Sequence, residues 1–96
     1  MSRCALTPKA QADLDDIWNY TVAQWGANQA EKYLRQLAEA MAYVAADPER
    51  GRACDEVRAG YRKHAVGAHV LFYRNATEGV EVVRILHQRM DFQRHV

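Results

Sequence analysis

Apolar residues recur at three- and four-residue intervals over the first quarter of the chain. Thr7 precedes Pro8, and a Thr cap followed by Pro at the first helical position marks the start of a helix. Gly26 follows the last apolar position and is the expected C-terminal cap. Between these points the spacing predicts an amphipathic helix. Its apolar face consists of Ala10, Leu14, Ile17, Trp18, Thr21 and Trp25.

A second helical pattern follows after a short link. Asn28 can cap a helix, and Glu31 stands three positions later, as in a capping box. Asp47 and Pro48 end the pattern, which predicts a helix over residues 29–46. Its apolar face consists of Ala30, Leu34, Leu37, Met41 and Val44, flanked by Tyr33 and Tyr43. Because the link is so short, the two helices are expected to form an antiparallel hairpin.

The last third of the chain changes to a β-type pattern. The runs YRKHAV, HVLFYR and VEVVRILH are separated by hairpin-length loops that contain Gly. The third run is apolar at nearly every position, which predicts a strand covered on both faces. A short strand over residues 3–6 is expected to join the same sheet, and residues 49–60 are expected to form a long surface loop. The predicted fold is α+β: an N-terminal strand and an antiparallel helical hairpin packed on an antiparallel β-sheet, in the order β-α-α-β-β-β.

Length and composition predict one small domain spanning residues 1–96. The net charge of +1 is too small for a basic nucleic-acid-binding tail, although the basic residues and all 4 histidines are concentrated in the second half. Cys4 and Cys54 make no disulfide framework and are expected to be reduced thiols. No signal-peptide core and no membrane-spanning apolar run is present, so a cytoplasmic location and no membrane partner are expected.

No catalytic or metal-binding motif is present in the sequence. The histidines lack the spacing of a zinc-binding helix, and there is no nucleophile elbow, phosphate-binding loop or dinucleotide fingerprint. The sequence therefore predicts no metal and no cofactor. What remains is a basic set on the predicted sheet: Arg62, Lys63, Arg74, Arg84 and Arg89, joined by His64 and His87.

Several side chains can be explained by a role in the fold rather than in function. They are two members of this basic set and the aromatic and acidic side chains of the helices. Arg84 lies in an apolar strand and is expected to pair with Glu81, Asp91 or a helix carboxylate. His87 is expected to be a hydrogen-bonded histidine at a strand end. The helix-face residues expected in the core are Trp18 and Trp25. Candidates for the rim of a groove are Tyr20, Tyr33 and Tyr43. The carboxylates expected on a solvated face near the start of the first helix are Asp13, Asp15 and Asp16.

Four segments in this order resemble the ParE toxins of the RelE/ParE superfamily, from bacterial type II toxin–antitoxin modules. These segments are LTPKAQADLDDIWNYTVAQWG, YLRQLAEAMAYVAADPERGR, VGAHVLFYR and GVEVVRILHQRMD, so the resemblance runs from about Cys4 to Asp91. It implies the same β-α-α-β-β-β order. It also implies a cytoplasmic toxin, neutralised by a ParD-like antitoxin in a heterotetramer or larger complex, with DNA gyrase as its target. Such a toxin binds its target without catalysis and needs no sequence-specific contact with nucleic acid.

Two alternatives remain open beside gyrase inhibition. The first is a ribosome-dependent mRNA interferase of the RelE type, in which Arg74, His87 and either Asp55 or Glu56 would supply the acid–base and phosphate-binding groups. The tyrosine that would follow such a histidine is replaced by Gln88, which disfavours this alternative. The second is an inactive module that only binds its antitoxin.

The resemblance divides the candidate residues into two sets. Candidates for target binding are Arg62, Lys63, Arg74, Arg84, His87 and Arg89. Candidates for antitoxin binding, by the helix-in-groove or the added-strand mode, are Trp18, Trp25, Tyr33, Leu37, Met41 and Phe72.

Overall fold

The protein is a helical hairpin packed on one face of a mixed five-stranded sheet, seen in a computed structural model that describes residues 3–90. The elements are β1 Arg3–Leu6, α1 Pro8–Trp25, α2 Ala27–Ala46, a 3₁₀ turn Pro48–Arg50, β2 Arg52–Ala53, β3 Tyr61–Val66, β4 His69–Ala76 and β5 Gly79–His87. The strand order is β1-β5-β4-β3-β2. The α+β class and the predicted order of helices and main strands are confirmed.

The helical hairpin begins as the sequence predicts. The Thr7 hydroxyl accepts the Ala10 N–H at 3.1 Å, and Pro8 is the first helical residue. Gly26 separates the helices with a positive φ of 89°, which glycine adopts without steric cost. The predicted start of α2 is wrong, because α2 begins at Ala27 and has no side-chain cap, so Asn28 and Glu31 form no capping box. The glycine alone makes the link, which leaves no room for a separate capping residue.

The sheet differs from the prediction in two ways. β3, β4 and β5 are adjacent and antiparallel as predicted, but β1 runs parallel to β5. A parallel neighbour requires a crossover connection, which the helices and the intervening strands supply. The predicted loop 49–60 is also wrong in part, because it contains the 3₁₀ turn and β2, and Gly51 and Cys54 within it are buried.

Both faces of the sheet carry a core. The main core lies between the helices and the sheet, and a smaller one lies on the opposite face, beneath the segment that follows β2. β5 contributes to both, since Val82 and Ile85 belong to the main core while Val83 and Leu86 belong to the smaller one. The prediction that this strand is covered on both faces is confirmed.

Tyr73 ties the 3₁₀ turn to the sheet. Its ring is fully buried, its hydroxyl accepts the Gly51 N–H at 2.9 Å, and it donates to the Pro48 carbonyl at 2.6 Å. Burial raises the pKa of this hydroxyl, so it stays neutral and can serve as donor and acceptor together. The segment after α2 is therefore attached to the core through one phenol group.

Replacing Tyr73 with Phe is expected to lower the free energy of unfolding by about 2–3 kcal/mol, because a buried donor and a carbonyl lose their partner. The measurement is the urea midpoint of the isolated chain. Tyr43→Phe is the matched control, since Tyr43 is exposed and should change the stability by less than about 0.5 kcal/mol. Equal effects of the two substitutions would contradict the assignment.

Candidate functional site

A groove of about 970 Å³ opens at one end of the helical hairpin. Its walls come from the second half of α1, the start of α2, the β3–β4 turn and the end of β5. The aromatic, histidine and methionine side chains that line it are Tyr20, Trp25, Tyr33, His69, His87 and Met90. The groove thus collects aromatic residues from both helices and histidines from two strands.

The rim of the groove exposes large apolar side chains. Trp25 is 72% exposed, Tyr20 67% and Met90 46%. Clustered apolar exposure of this kind on a small domain marks a surface that docks a partner. The prediction that Tyr20 and Tyr33 border a groove is confirmed, whereas Tyr43 does not line it.

The prediction that Trp18 and Trp25 lie in the core is wrong. Trp18 is 38% exposed, and the buried residues of α1 are Ala10, Ile17 and Thr21. At 3.6 residues per turn Trp18 and Trp25 project about 100° and 80° away from Ile17, beyond the face that meets the sheet. Of the two tryptophans, Trp25 lines the groove and Trp18 does not.

Tyr33 and His69 form the part of the groove that joins α2 to the sheet. The Tyr33 hydroxyl accepts the Ala68 N–H at 3.1 Å and lies 2.5 Å from Nδ1 of His69. Since the backbone N–H already donates to this oxygen, the phenol proton is directed to the imidazole. Gly67, with φ of 57°, allows this approach, because a Cβ there would collide with the Tyr33 ring. Burial raises the pKa of Tyr33, which keeps it a donor.

His69 and His87 lie edge to face in the groove. Their ring centroids are 5.5 Å apart with an interplanar angle of 79°, and Nδ1 of His87 accepts the Arg89 N–H at 3.2 Å. The prediction of a hydrogen-bonded His87 at the strand end is confirmed. Burial, and then the like charge of His87, lower the pKa of His69 against an opposing effect of Asp13. His69 is therefore neutral at physiological pH.

An ion pair between α1 and β5 closes the side of the groove. Arg84 donates to both carboxylate oxygens of Asp13, at 2.8 and 2.9 Å, and the Ile85 N–H donates to the same carboxylate at 2.9 Å. The two side chains are 17% and 12% exposed. The prediction that Arg84 pairs with a helix carboxylate is confirmed. The prediction that Asp13 lies on a solvated face is wrong. Asp13 lies one turn before Ile17, on the helix face that meets the sheet.

β1 pairs only with residues 79–82 of β5. The start of α1 covers the remaining part of that side of β5. The Thr7 N–H donates to the Val82 carbonyl at 3.0 Å, and the Thr7 hydroxyl donates to the Val83 carbonyl at 2.9 Å. Together with the bond from Ile85 to Asp13, these contacts occupy backbone groups that an added strand would need. These contacts leave little of this edge of β5 open to another strand.

The basic target-binding candidates do not form one cluster. Arg74 makes an exposed pair with Glu81, and Arg62 donates to the Gly51 carbonyl at 2.8 Å. Lys63 is half-buried on β3, and Arg89 is exposed beyond β5. These four lie outside the groove, whereas Arg84 and His87 line it.

The residues of the nuclease alternative are also dispersed. In the register of β4 and β5, Arg74 lies opposite Glu81 near the hairpin turn, and His69 lies opposite His87 at the far end. Arg74 and His87 therefore lie at opposite ends of the β4–β5 hairpin. Five residues of strand place them about 17 Å apart. Glu56 and Asp55 are exposed in the segment between β2 and β3. This separation disfavours contact of one scissile phosphate with both Arg74 and His87.

Three of the antitoxin-binding candidates are core residues. Leu37 and Phe72 are fully buried and Met41 is nearly so. They are not at the surface of the chain, because the apolar face of α2 and both faces of the sheet are used for packing. His69 and Met90 were missed at the sequence level. A histidine after a tight turn and a methionine after a strand carry no pattern that assigns them to a groove.

Within residues 3–90, no helix combines the length and apolarity needed to cross a membrane. The same part of the chain has no cluster of three or more His, Cys, Asp or Glu side chains placed to hold a metal ion. The last predicted partner for Arg84, Asp91, lies outside the described residues.

A helical hairpin on one face of a mixed five-stranded sheet defines the fold as α+β. The structure aligns with a chain of the chromosomal ParDE TA system from P. aeruginosa with a TM-score of 0.77, covering 91% of this chain and 96% of that one at 22% identity. At that identity the likeness concerns the fold alone.

Sequence relatives define the family. Residues 5–92 match the family described as ParE toxin of type II toxin-antitoxin system, parDE. The chain is 55% identical over 96 residues to Toxin ParE1 of Mycobacterium tuberculosis, covering 99% of this chain and 98% of the relative. It is 44% identical over 91 residues to Toxin ParE1 of Caulobacter vibrioides, covering 95% and 94%. It is 36% identical over 92 residues to Toxin ParE of Escherichia coli, covering 95% and 89%. The chain belongs to the ParE toxin family of type II toxin–antitoxin systems, and the resemblance drawn from its sequence motifs is confirmed.

Proposed function

We propose that this chain arrests bacterial growth by inhibiting DNA gyrase in the cytoplasm, and that a ParD-like antitoxin neutralises it by docking in the aromatic groove. The observation that carries the docking proposal is the exposure of Trp25, Tyr20 and Met90 around one concave surface. Water contact with three large apolar side chains is unfavourable, and a partner that covers them gains that free energy. Membership of a toxin–antitoxin family supports an antitoxin as this partner.

The mode of docking follows from the edge of β5. Since Thr7 and Asp13 occupy backbone groups along that edge, the antitoxin segment is expected to enter as an amphipathic helix. Its apolar side chains would lie against Trp25 and Met90. The complex is expected to be a heterotetramer or larger.

Inhibition of gyrase is proposed to occur by binding, without a bond made or broken by the toxin. Separation of Arg74 from His87 supports this, because acid–base cleavage of RNA would need such groups at one phosphate. Arg74 and Arg89 are exposed and are suited to contact the target. The Arg74–Glu81 pair costs little to exchange, since water and salt screen an exposed ion pair. Arg62, Lys63, Arg84 and His87 remain weaker candidates for target contact.

The test combines growth with two assays of the purified chain. Expression without antitoxin is expected to arrest growth, and the chain is expected to abolish DNA supercoiling by gyrase while cleaved complexes accumulate. The control is the same chain mixed beforehand with a cognate ParD-like antitoxin, which should restore supercoiling. Ribosome-dependent cuts in mRNA with normal supercoiling would instead favour the interferase alternative. Absence of growth arrest would leave an inactive antitoxin-binding module.

Two substitutions sharpen this test. Arg74→Ala and His87→Ala each remove a group that the interferase alternative requires, and such removal is expected to slow catalysis at least about 100-fold. If gyrase inhibition is the activity, His87→Ala should remain toxic. Arg74→Ala should weaken the activity no more than about tenfold, as loss of one exposed charge contact does. Abolished toxicity in both variants would contradict the proposed mechanism.

A further inference from the structure

Two histidines in the groove each direct a hydrogen-bond donor toward solvent. Nδ1 of His69 receives the Tyr33 hydroxyl proton, and Nδ1 of His87 receives the Arg89 N–H. A neutral imidazole that accepts at Nδ1 carries its proton on Nε2. Among residues 3–90 no buried side-chain nitrogen or oxygen lacks a hydrogen-bond partner. The two Nε2–H groups therefore reach the water in the groove.

The charged groups around these rings come from three elements. Asp13 and Asp16 face the groove from α1, Arg84 faces it from β5, and Tyr33 lies beneath it on α2. Asp13 is neutralised by its two bonds to Arg84. Asp16 is exposed, so water and salt screen its charge. The immediate surroundings of the two rings therefore tolerate one additional negative charge.

We propose that His69 and His87 form a carboxylate-binding subsite that receives an Asp or Glu side chain of the docked antitoxin segment. The ring centroids are 5.5 Å apart, and the two oxygens of one carboxylate would each accept a hydrogen bond from one of the two Nε2–H groups. A backbone carbonyl offers one oxygen and would leave a ring without an acceptor. This inference rests on the proposed docking of the antitoxin in the groove.

The subsite makes antitoxin binding depend on pH with a definite sign. In the unbound chain, burial and the neighbouring His87 lower the pKa of His69. A bound carboxylate would raise the pKa of His69, because it stabilises the charged form of the ring. Binding is then accompanied by uptake of a proton by His69. The affinity therefore rises as the pH falls, over the range between the higher pKa of His69 in the complex and its lower pKa in the unbound chain. Each unit between the two pKa values contributes about tenfold in affinity.

The experiment measures the dissociation constant of the purified chain with a cognate ParD-like antitoxin, between about pH 8 and pH 5.5, where histidine titrates. The wild-type affinity is expected to increase at least about fivefold over this range. The pair of substitutions His69→Gln and His87→Gln should make the affinity independent of pH within about twofold. His87→Gln alone should reduce the dependence, and it leaves the Tyr33 bond intact.

His64→Gln is the matched control, since His64 packs on Tyr43 outside the groove and should retain the full pH dependence. Histidine NMR titrations should show the pKa of His69 rising on binding. A flat affinity profile, or a dependence that survives the double substitution, would overturn the subsite while leaving the docking proposal intact. Failure to form a complex at any pH would overturn both.

Discussion

Asp13→Ala is expected to lower the free energy of unfolding of the isolated chain by about 3 kcal/mol. The substitution leaves the Arg84 guanidinium, only 17% exposed, without the carboxylate that accepts two of its hydrogen bonds. It also leaves the Ile85 N–H without an acceptor at the sheet edge. Since small domains are held by about 5–15 kcal/mol in total, this loss is a large share of the stability. The measurement is the urea midpoint followed by circular dichroism.

Two further variants separate the ion pair from helix effects. Asp15→Ala removes an exposed carboxylate from the same helix and should change the stability by less than about 0.5 kcal/mol. Replacing both Asp13 and Arg84 with Leu should recover at least about 1 kcal/mol relative to Asp13→Ala, because no charge is then left beneath the helix. An effect of Asp13→Ala equal to that of Asp15→Ala would refute the importance of the pair.

Trp25→Ala is expected to weaken antitoxin binding by at least about 2 kcal/mol, or about 30-fold in the dissociation constant. Trp25 is the last residue of α1 and is 72% exposed, so its removal costs the isolated fold little. In the complex its indole ring would supply a large apolar contact at the rim of the groove. Isothermal titration with the antitoxin measures the effect, and a thermal melt checks that the fold is retained.

Trp18→Ala provides the control for this prediction. Trp18 is a second exposed tryptophan on the same helix but does not line the groove. Its removal is expected to change the dissociation constant by less than about threefold, as for a peripheral contact. A larger effect at Trp18 than at Trp25 would place the antitoxin nearer the middle of α1, outside the groove.

Local signals in the sequence predict much of the fold. The Thr7-Pro8 pair, the period of the helical residues and Gly26 define α1 at both ends, because each acts through its immediate neighbours. The capping box at Asn28 fails because Gly26 already turns the chain and α2 begins at once. The parallel pairing of β1 with β5 joins residues more than seventy positions apart, and no local pattern specifies it.

The functional surface is harder to predict because it depends on which helix face meets the sheet. The apolar face of α1 is wider than the surface available to cover it, so Ile17 is buried while Trp25 is exposed. The sequence predicts a solvated Asp13, because a carboxylate on a helix usually faces water. Its ion-pair partner on β5, Arg84, can be recognised only in the folded structure. Pairing of Arg84 was predicted correctly, since a charge in an apolar strand requires an anion.

The position of β5 in the sheet has a consequence for the order of folding. Within the described residues, β5 pairs with both β1 and β4 and contributes to the cores on both faces. Before β5 docks, β1 has no neighbouring strand and both cores are open, so the pairing of β1 with β5 is expected to be a late step of folding. The groove, whose wall includes the end of β5, is therefore complete only after this long-range pairing has formed.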